Sequence, residues 1–588
     1  MERSDLCWLL ALCFFLVFLV LSPLLGFALF GSDTGEYYRL TVLLITTGHE
    51  PVGAAYAGWG FGYPDFPGIF ILAGATAQGM GVGALAALIF VVPVVAVLSV
   101  LPLFLLFRRL FPNDTIAILG AGFASVAMPR LFSLAHPAPL ALGDFLVVAG
   151  LWMFVEGRTD PRWYLPLALT SGALIVTHHL SSFFFALSAI GTLALFELIR
   201  PGGWSRRFPL RELVFTGGFL TVLWAYWVLY AVDFRSIVLH GFGPFYSTVA
   251  ADPVATFLGL TAASFFVLAL AGLLLRWRRS SGTVRPLRVK FPGDRQYSVE
   301  LSLFFVGIAG GVALLLVVPL PGTSQTTTPL TLLYFGPLLI LLAFAAGGRR
   351  LLTSARLGGF IPIWIAALAL GVILSGLLIA VAPSFSSSQA LSPGRFAEYL
   401  LIPMGLMVAV GIGRLVGRTH DVAGRRAAVA AGLAVVVLFA ANAAIVYPPP
   451  AIFGGFQEGL TAQDAAEWMW IGIALPPTAA VASDHRLSSM IFGFDGNPAT
   501  WDSTPGLFVG SNRTLAWSEL NDSPTPSVER PINAVAIDGV MYTGVALDPS
   551  QIAQPLSASA IAWFQAPPFV PIYEDQRSVV YWVAWSGG

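Results

Sequence analysis

The chain has 588 residues, 57% of them hydrophobic and only 11% charged, with mean hydropathy +0.80 and zero formal net charge. A soluble chain cannot keep that much apolar surface from water, so the composition excludes a soluble globular protein and points to a polytopic membrane protein. The only cysteines, Cys7 and Cys13, both lie in the first apolar run, which excludes a disulfide-dependent external domain.

In chain order, the first predicted element is the apolar run 7–30. At roughly 20 residues per span it is long enough to cross a bilayer. No small-residue cleavage site closes it, so it reads as a retained anchor. Asp33 and Glu36 stand at its exit, in GSDTGEYY. Two carboxylates there are costly unless they face water, a cation or a substrate. The segment 66–80 (FPGIFILAGATAQGM) is apolar but short. It is expected to be a juxtamembrane or re-entrant helix within a long external loop, 31–83. Further spans are expected at 84–107, 115–133, 141–155, 163–178, 181–199, 212–231, 254–275, 301–320, 329–347, 357–382, 398–413 and 427–446, about thirteen in all.

Arginine placement sets the orientation. One set of loops holds Arg108/Arg109, Arg158/Arg162, Arg200 to Arg211, Arg276 to Arg295, Arg349 to Arg356 and Arg414 to Arg426. The opposite side of the membrane part holds only Arg39, Arg130, Arg235 and Arg395. The first set is therefore expected in the cytoplasm, with the N-terminus inside and everything after Tyr447 outside. Beyond Pro448-Pro449-Pro450 the long apolar runs stop. Residues 447–588 are expected to form a small extracytoplasmic domain, after a transmembrane domain over 1–446. Within it, 465–473 reads as an amphipathic helix, 479–482 and 534–537 as buried strands, and 569–573 with 578–582 as a β-hairpin. The expected fold class is a polytopic α-helical membrane protein with a small C-terminal α/β extracytoplasmic domain.

This topology places most of the remaining ionisable groups on the outer side. Transfer of a sugar from a phosphate-activated lipid to a hydroxyl needs a base on the acceptor. It also needs positive charge on the departing phosphate, from Arg or from a divalent metal such as Mg or Mn. Asp33 is the candidate base, and Glu36, one turn on, is placed to orient it or share a metal. The competing structural role is a capping box, with Asp33 as N-cap and Glu36 at its third position. Arg395, in SPGRFAEYLLIP, can grip a phosphate bidentately or reach for lipid headgroups. His178 and His179 offer groups for the donor phosphate, for a sugar or for a metal, or else line a tight turn. His136 and Asp144 are candidates for a metal or acceptor site. No P-loop, dinucleotide fingerprint, zinc spacing or nucleophile elbow is present, and the basic stretch 276–295 fits inside-positive topology without nucleic acid.

The acidic pair after the first span, the YPDFPG loop end before an apolar helix, and GRFAEYLLIP together resemble the GT-C superfamily of lipid-phosphosugar glycosyltransferases. That superfamily includes protein O-mannosyltransferases, aminoarabinose transferases and oligosaccharyltransferase catalytic subunits. Thirteen spans followed by an external domain are similar to the oligosaccharyltransferase layout. The resemblance implies that Asp33 is the first-loop acid, acting as base or metal ligand, with Glu36 a looser match. It implies that Arg395 contacts the carrier phosphate, and that Asp144 or His136 stands in for a second-loop metal motif, although no clean DxD or ExD occurs. The acceptor-reading WWDYG motif is absent. Near its expected place the chain reads AEWMWIG and then VASDHRLSSMIFGFDG, where Asp484, His485 and Arg486 either face the active cavity or cap the following helix. The implied partners are a polyprenyl-phosphate sugar, a glycan, lipid or protein acceptor, and membrane lipids. A transporter or lipid-glycan flippase, and a glycan polymerase or ligase, are the competing readings.

Overall fold

The first helix, α1 (Arg3–Leu21), buries Leu9, Cys13, Leu16 and Val20 along one stripe and leaves Trp8, Phe14 and Phe18 exposed. An outer face so apolar is stable only in lipid. The computed structural model describes residues 2–49, 62–199, 209–235, 252–280, 328–354, 360–381, 393–450, 452, 457–500, 504–521, 531–547 and 553–585. Among them, seven helices are long and apolar enough to cross a membrane, and five shorter apolar helices accompany them. The expected span 301–320 lies outside the described residues.

Three expected spans take a different form. The run 115–133 breaks into helices Asp114–Val126 and Arg130–Ala135, because Pro129 cannot continue the helix before it. The runs 398–413 and 427–446 fall in one helical segment, Pro393–Ala444. Both ends of that segment meet the helix Asp114–Val126. Gly405 lies against Gly120 and Ala124, and the Phe439 ring lies 5.5 Å from that of Phe123. A straight helix would hold Gly405 and Phe439 about 50 Å apart. The segment therefore doubles back, so that both of its halves reach the helix Asp114–Val126.

The face that carries the C-terminal part is built on the chain leaving α1. After a 3-10 turn at Ser22–Leu25, β1 (Leu29–Phe30) pairs antiparallel with β2 (Gly459–Leu460). Gly31 then takes φ 113, a conformation side chains resist, and turns the chain into α2 (Thr34–Thr47). Helix α3 (Gly68–Met80) matches the expected juxtamembrane element. At 13 residues it is about 20 Å long, too short for a hydrocarbon core of about 30 Å.

The C-terminal part is a five-stranded mixed sheet. Its order is β4 (Ala499–Thr500), β3 (Val481–Ala482), β5 (Ala534–Ile537), β7 (Val579–Val583), β6 (Phe569–Glu574). The first three strands run parallel, and the hairpin adds two antiparallel strands at the edge. The helix Ala462–Ala474 carries a capping box between Thr461 and Asp464.

This part docks directly on the loop between the first two spans. Tyr38 of α2 stacks on Phe494 with centroids 4.5 Å apart, and Phe494 stacks on Trp468. Leu85 and Ile89, at the outer end of the second span, join the same apolar cluster. At the centre, Gly35 and Gly493 cross backbone to backbone, and a Cβ on Gly35 would collide with the Ser489 carbonyl. Gly35→Ala is therefore expected to cost about 1–3 kcal/mol, read as a lowered unfolding midpoint of the purified protein. Gly79→Ala, facing open space on α3, should be neutral or slightly stabilising. Equal midpoints for the two variants would show that the crossing is not tight.

Candidate active site

The turn at Gly31 sets Asp33 at the N-cap position of α2, yet its side chain makes no capping bond. The carboxylate faces outward and is held by three residues. Oδ1 accepts from His485 Nε2 at 2.7 Å, and Oδ2 accepts from the hydroxyls of Tyr37 at 3.1 Å and Tyr63 at 3.2 Å. Tyr63 opens the YPDFPG turn, so the two ends of the first loop meet at this carboxylate. The Asp33 side chain is 19% exposed and that of His485 only 1%.

A second carboxylate–imidazole pair lies beside the first. Glu458, just before β2, accepts the Ser32 N–H at 2.8 Å and faces His136 Nε2 at 3.5 Å. His136 Nδ1 sits 2.8 Å from the Phe132 carbonyl. The two pairs cross the boundary in opposite senses. Asp33 and His136 come from the membrane part, His485 and Glu458 from the C-terminal part.

Their electrostatics agree. Burial would raise the Asp33 carboxyl, but the His485 charge and the three hydrogen bonds hold it below its ordinary value. Burial would lower His485, but the hydrogen bond and charge of Asp33, with Asp484 and Glu458 behind it, push it up. Glu458 is likewise lowered against its burial by His136 and the Ser32 N–H. His136 is raised against its burial, chiefly by Glu458.

His485 reaches this position from the start of helix His485–Met490. Asp484 caps that helix by accepting the Leu487 N–H at 3.0 Å. Arg486 turns inward, fully buried, to Asp484 and Asp538. The DHR triplet thus both caps a helix and faces the first-loop acid.

Other expected site residues stand elsewhere. Glu36 is buried on α2, its backbone N–H donating to Ser489 Oγ at 3.4 Å. Asp144 is engaged by Arg130, both side chains 0% exposed, and Arg130 also donates to Ser99 Oγ at 2.8 Å and Ser125 Oγ at 3.3 Å. A carboxylate so matched inside the bundle is not presented at the outer surface, so the structure separates Asp144 from His136. His178 caps the helix that follows it, accepting the Ser181 N–H, and Ser181 Oγ lies 2.8 Å from the Tyr399 hydroxyl. His179 packs on Phe66 and Phe234, which places the histidine pair against the end of the first loop. Asp65 in that turn accepts the Phe234 N–H at 2.8 Å. Arg395 lies in the first turn of Pro393–Ala444, and its side chain is outside the described residues. Tyr37, Tyr63 and Glu458 were not singled out from sequence. Only Tyr63, inside YPDFPG, carried a signal that would have found it.

Asp33, Glu458, His136 and His485 are all donor types for a divalent cation. They are turned on one another in pairs, however, and among the described residues no three His, Cys, Asp or Glu converge. As placed, they do not fit such an ion.

The pairs make domain docking depend on pH. A raised imidazole stabilises the docked state below its ordinary value of 6.5, and that contribution is lost as pH rises through the raised value. A lowered carboxylate stabilises above its ordinary value, 3.8 for Asp33 and 4.5 for Glu458, and is lost as pH falls through the lowered one. Thermal unfolding should therefore show greatest stability between the carboxylate and imidazole ranges, with a decline above neutrality. The double variant His485→Gln, His136→Gln should lose the alkaline slope. An unchanged slope would place its origin elsewhere.

No family model and no curated protein sequence matches the chain. Solved structures do. The oligosaccharyltransferase of Archaeoglobus fulgidus, tethered to an acceptor peptide containing an NVT sequon, aligns at TM-score 0.58 and 15% identity, over 92% of this chain and 70% of that one. The same enzyme, AglB, with an inhibitory peptide and a dolichol-phosphate aligns equally well, at TM-score 0.58 and 15% identity over the same shares. Its complex with Zn and sulfate aligns at TM-score 0.52 and 16% identity, over 90% and 68%. At such identities the likeness is one of fold. The chain is a multi-pass helical membrane protein with the fold of these oligosaccharyltransferase structures.

Proposed function

We propose that this chain is a membrane glycosyltransferase that moves a sugar from a polyprenyl-phosphate donor to a hydroxyl of a glycan, lipid or protein acceptor on the external face. The observation that carries this reading is the Asp33 carboxylate, held in ionised form at the exit of the first span by His485, Tyr37 and Tyr63. The fold likeness supports the donor class, since AglB was crystallised with a dolichol-phosphate. In the proposed step the acceptor oxygen attacks the anomeric carbon, and its proton passes to Asp33. The bond from that carbon to the phosphate oxygen breaks, and the lipid phosphate leaves with the electron pair. Glu36 supports α2 behind Asp33. Arg395 and the His178–His179 pair are the proposed contacts to the donor phosphate, and His136 borders the acceptor side. The N-terminus lies in the cytoplasm and the C-terminal domain, residues 447–588, outside. A divalent cation, Mg or Mn, is what the superfamily resemblance would add to this site, and the donor set described above speaks against it.

The missing WWDYG motif argues against transfer to Asn sequons. Transfer of a radiolabelled sugar from polyprenyl phosphate by the purified protein tests the reading. Asp33→Asn should reduce it about 10²–10⁴-fold, the usual contribution of a positioned base. Full activity in that variant would remove Asp33 from the chemistry, and no transfer from any polyprenyl donor would overturn the reading.

A further inference from the structure

We infer that both oxygens of the Asp33 carboxylate are taken by this chain's own hydrogen-bond donors, the His485 imidazole N–H and the Tyr37 and Tyr63 hydroxyls, in the place of a divalent cation. The inference rests on the proposed role of Asp33 for its functional meaning, but its evidence is the donor set itself.

Hydrogen-bonding roles follow from the partners. A carboxylate only accepts, so His485 Nε2, at 2.7 Å from Asp33 Oδ1, carries a proton. A protonated ring nitrogen has no lone pair for a metal. The other oxygen, Oδ2, already takes two phenol hydroxyls, from Tyr37 and Tyr63. A cation bound at Asp33 would have to displace donors on both oxygens. It would also sit beside a ring that carries a proton toward the same carboxylate.

The neighbouring pair is also turned on this chain's own groups. His136 Nδ1 lies 2.8 Å from the Phe132 carbonyl, which only accepts, so Nδ1 carries a proton. Nε2 of the same ring faces Glu458 Oε2 at 3.5 Å. Glu458 Oε2 is further held by the Ser32 N–H at 2.8 Å.

The four residues have the chemistry of a metal site but the geometry of two crossed ion pairs.

The arrangement also makes the imidazole donor to Asp33 part of a different structural unit. His485 arrives from the C-terminal part and Asp33 from the first loop, so the base acquires that donor only when the two are docked. Such a site is switched on by assembly of the protein rather than by loading of an ion.

Metal binding by the full-length protein, measured directly, decides the matter. The purified protein is stripped with a chelator, and Mn²⁺ and Zn²⁺ binding are titrated, the first by electron paramagnetic resonance of free Mn²⁺ and the second by calorimetry. Wild type should show no binding that Asp33→Asn removes, up to millimolar metal. His485→Asp, which sets a second carboxylate opposite Asp33, should create Asp33-dependent Mn²⁺ binding. Sugar transfer by wild type should be unchanged by EDTA. Micromolar Asp33-dependent binding in wild type would overturn the inference, as would transfer abolished by chelation and restored by Mn²⁺. Absence of both transfer and Asp33-dependent metal binding would overturn the glycosyltransferase reading while supporting the inference that donors of this chain occupy Asp33.

Discussion

The ion pair between Asp33 and His485 is the contact on which the outer half of the molecule turns. A carboxylate 19% exposed and an imidazole 1% exposed each bear a desolvation cost that the other helps to offset. Removing one partner strands the other, and that loss generally exceeds the net value of the pair. Much of the local architecture serves to bring the two within 2.7 Å. Strand β1 is pinned by β2, Gly31 turns the chain, and Gly35 lets α2 approach the segment that follows His485. The apolar stack of Tyr38, Phe494 and Trp468 supplies burial around this polar centre. The ion pair adds direction to an interface whose stability comes mainly from apolar contact.

The bundle holds other buried charges, and they are arranged differently. Arg130 places each of its three nitrogens on an acceptor, using Asp144, Ser99, Ser125 and the Ala124 carbonyl. Arg158 divides itself between Glu197 and Glu212 at 3.1 Å each. Both are closed sets that brace helices. A transporter needs ionisable groups near mid-membrane that can exchange partners with a cargo. Arg130 is committed to its protein partners. The Asp33 carboxylate is the contrasting case, held by donors that hydroxyl substrates can imitate and partly open to the outside. Under the proposed function, that difference favours chemistry at Asp33 over passage through the bundle.

The membrane architecture was legible because its signals are local. Length and hydropathy located most spans, and the brevity of 66–80 separated α3 from them. The hairpin at 569–582 and the strand at 534–537 were readable from alternation and turn residues. The fate of the ionisable groups was less so, since it depends on contacts far apart in sequence. Asp33 at a span exit was conspicuous by its cost in lipid. Glu458 was not, because an acid in a polar segment is unremarkable until β2 brings it to Ser32. Arg130 read as an outlying external arginine, whereas it is buried against Asp144. A single sequence shows where charges sit along the chain and not which of them will meet.

The triplet Asp484-His485-Arg486 shows how one short segment can couple the inside of a domain to its boundary. Successive residues on a helix diverge by about 100°, so neighbours cannot share a face. Asp484, at the N-cap, is spent on the helix end and on Arg486. Arg486 is driven inward to Asp538 and fastens the helix start to the core of the sheet domain. His485, between them, is left pointing out of the domain and into the first loop. Its position is firm because both neighbours are fixed. The place where an oligosaccharyltransferase-like chain would carry an aromatic acceptor-reading motif is thus occupied by a rigid mount for one imidazole. Under the proposed function, the C-terminal domain completes the catalytic group at Asp33 instead of reading a peptide. The acceptor must then be selected by the shape of the space that Asp33, Tyr63 and the end of the first loop leave open.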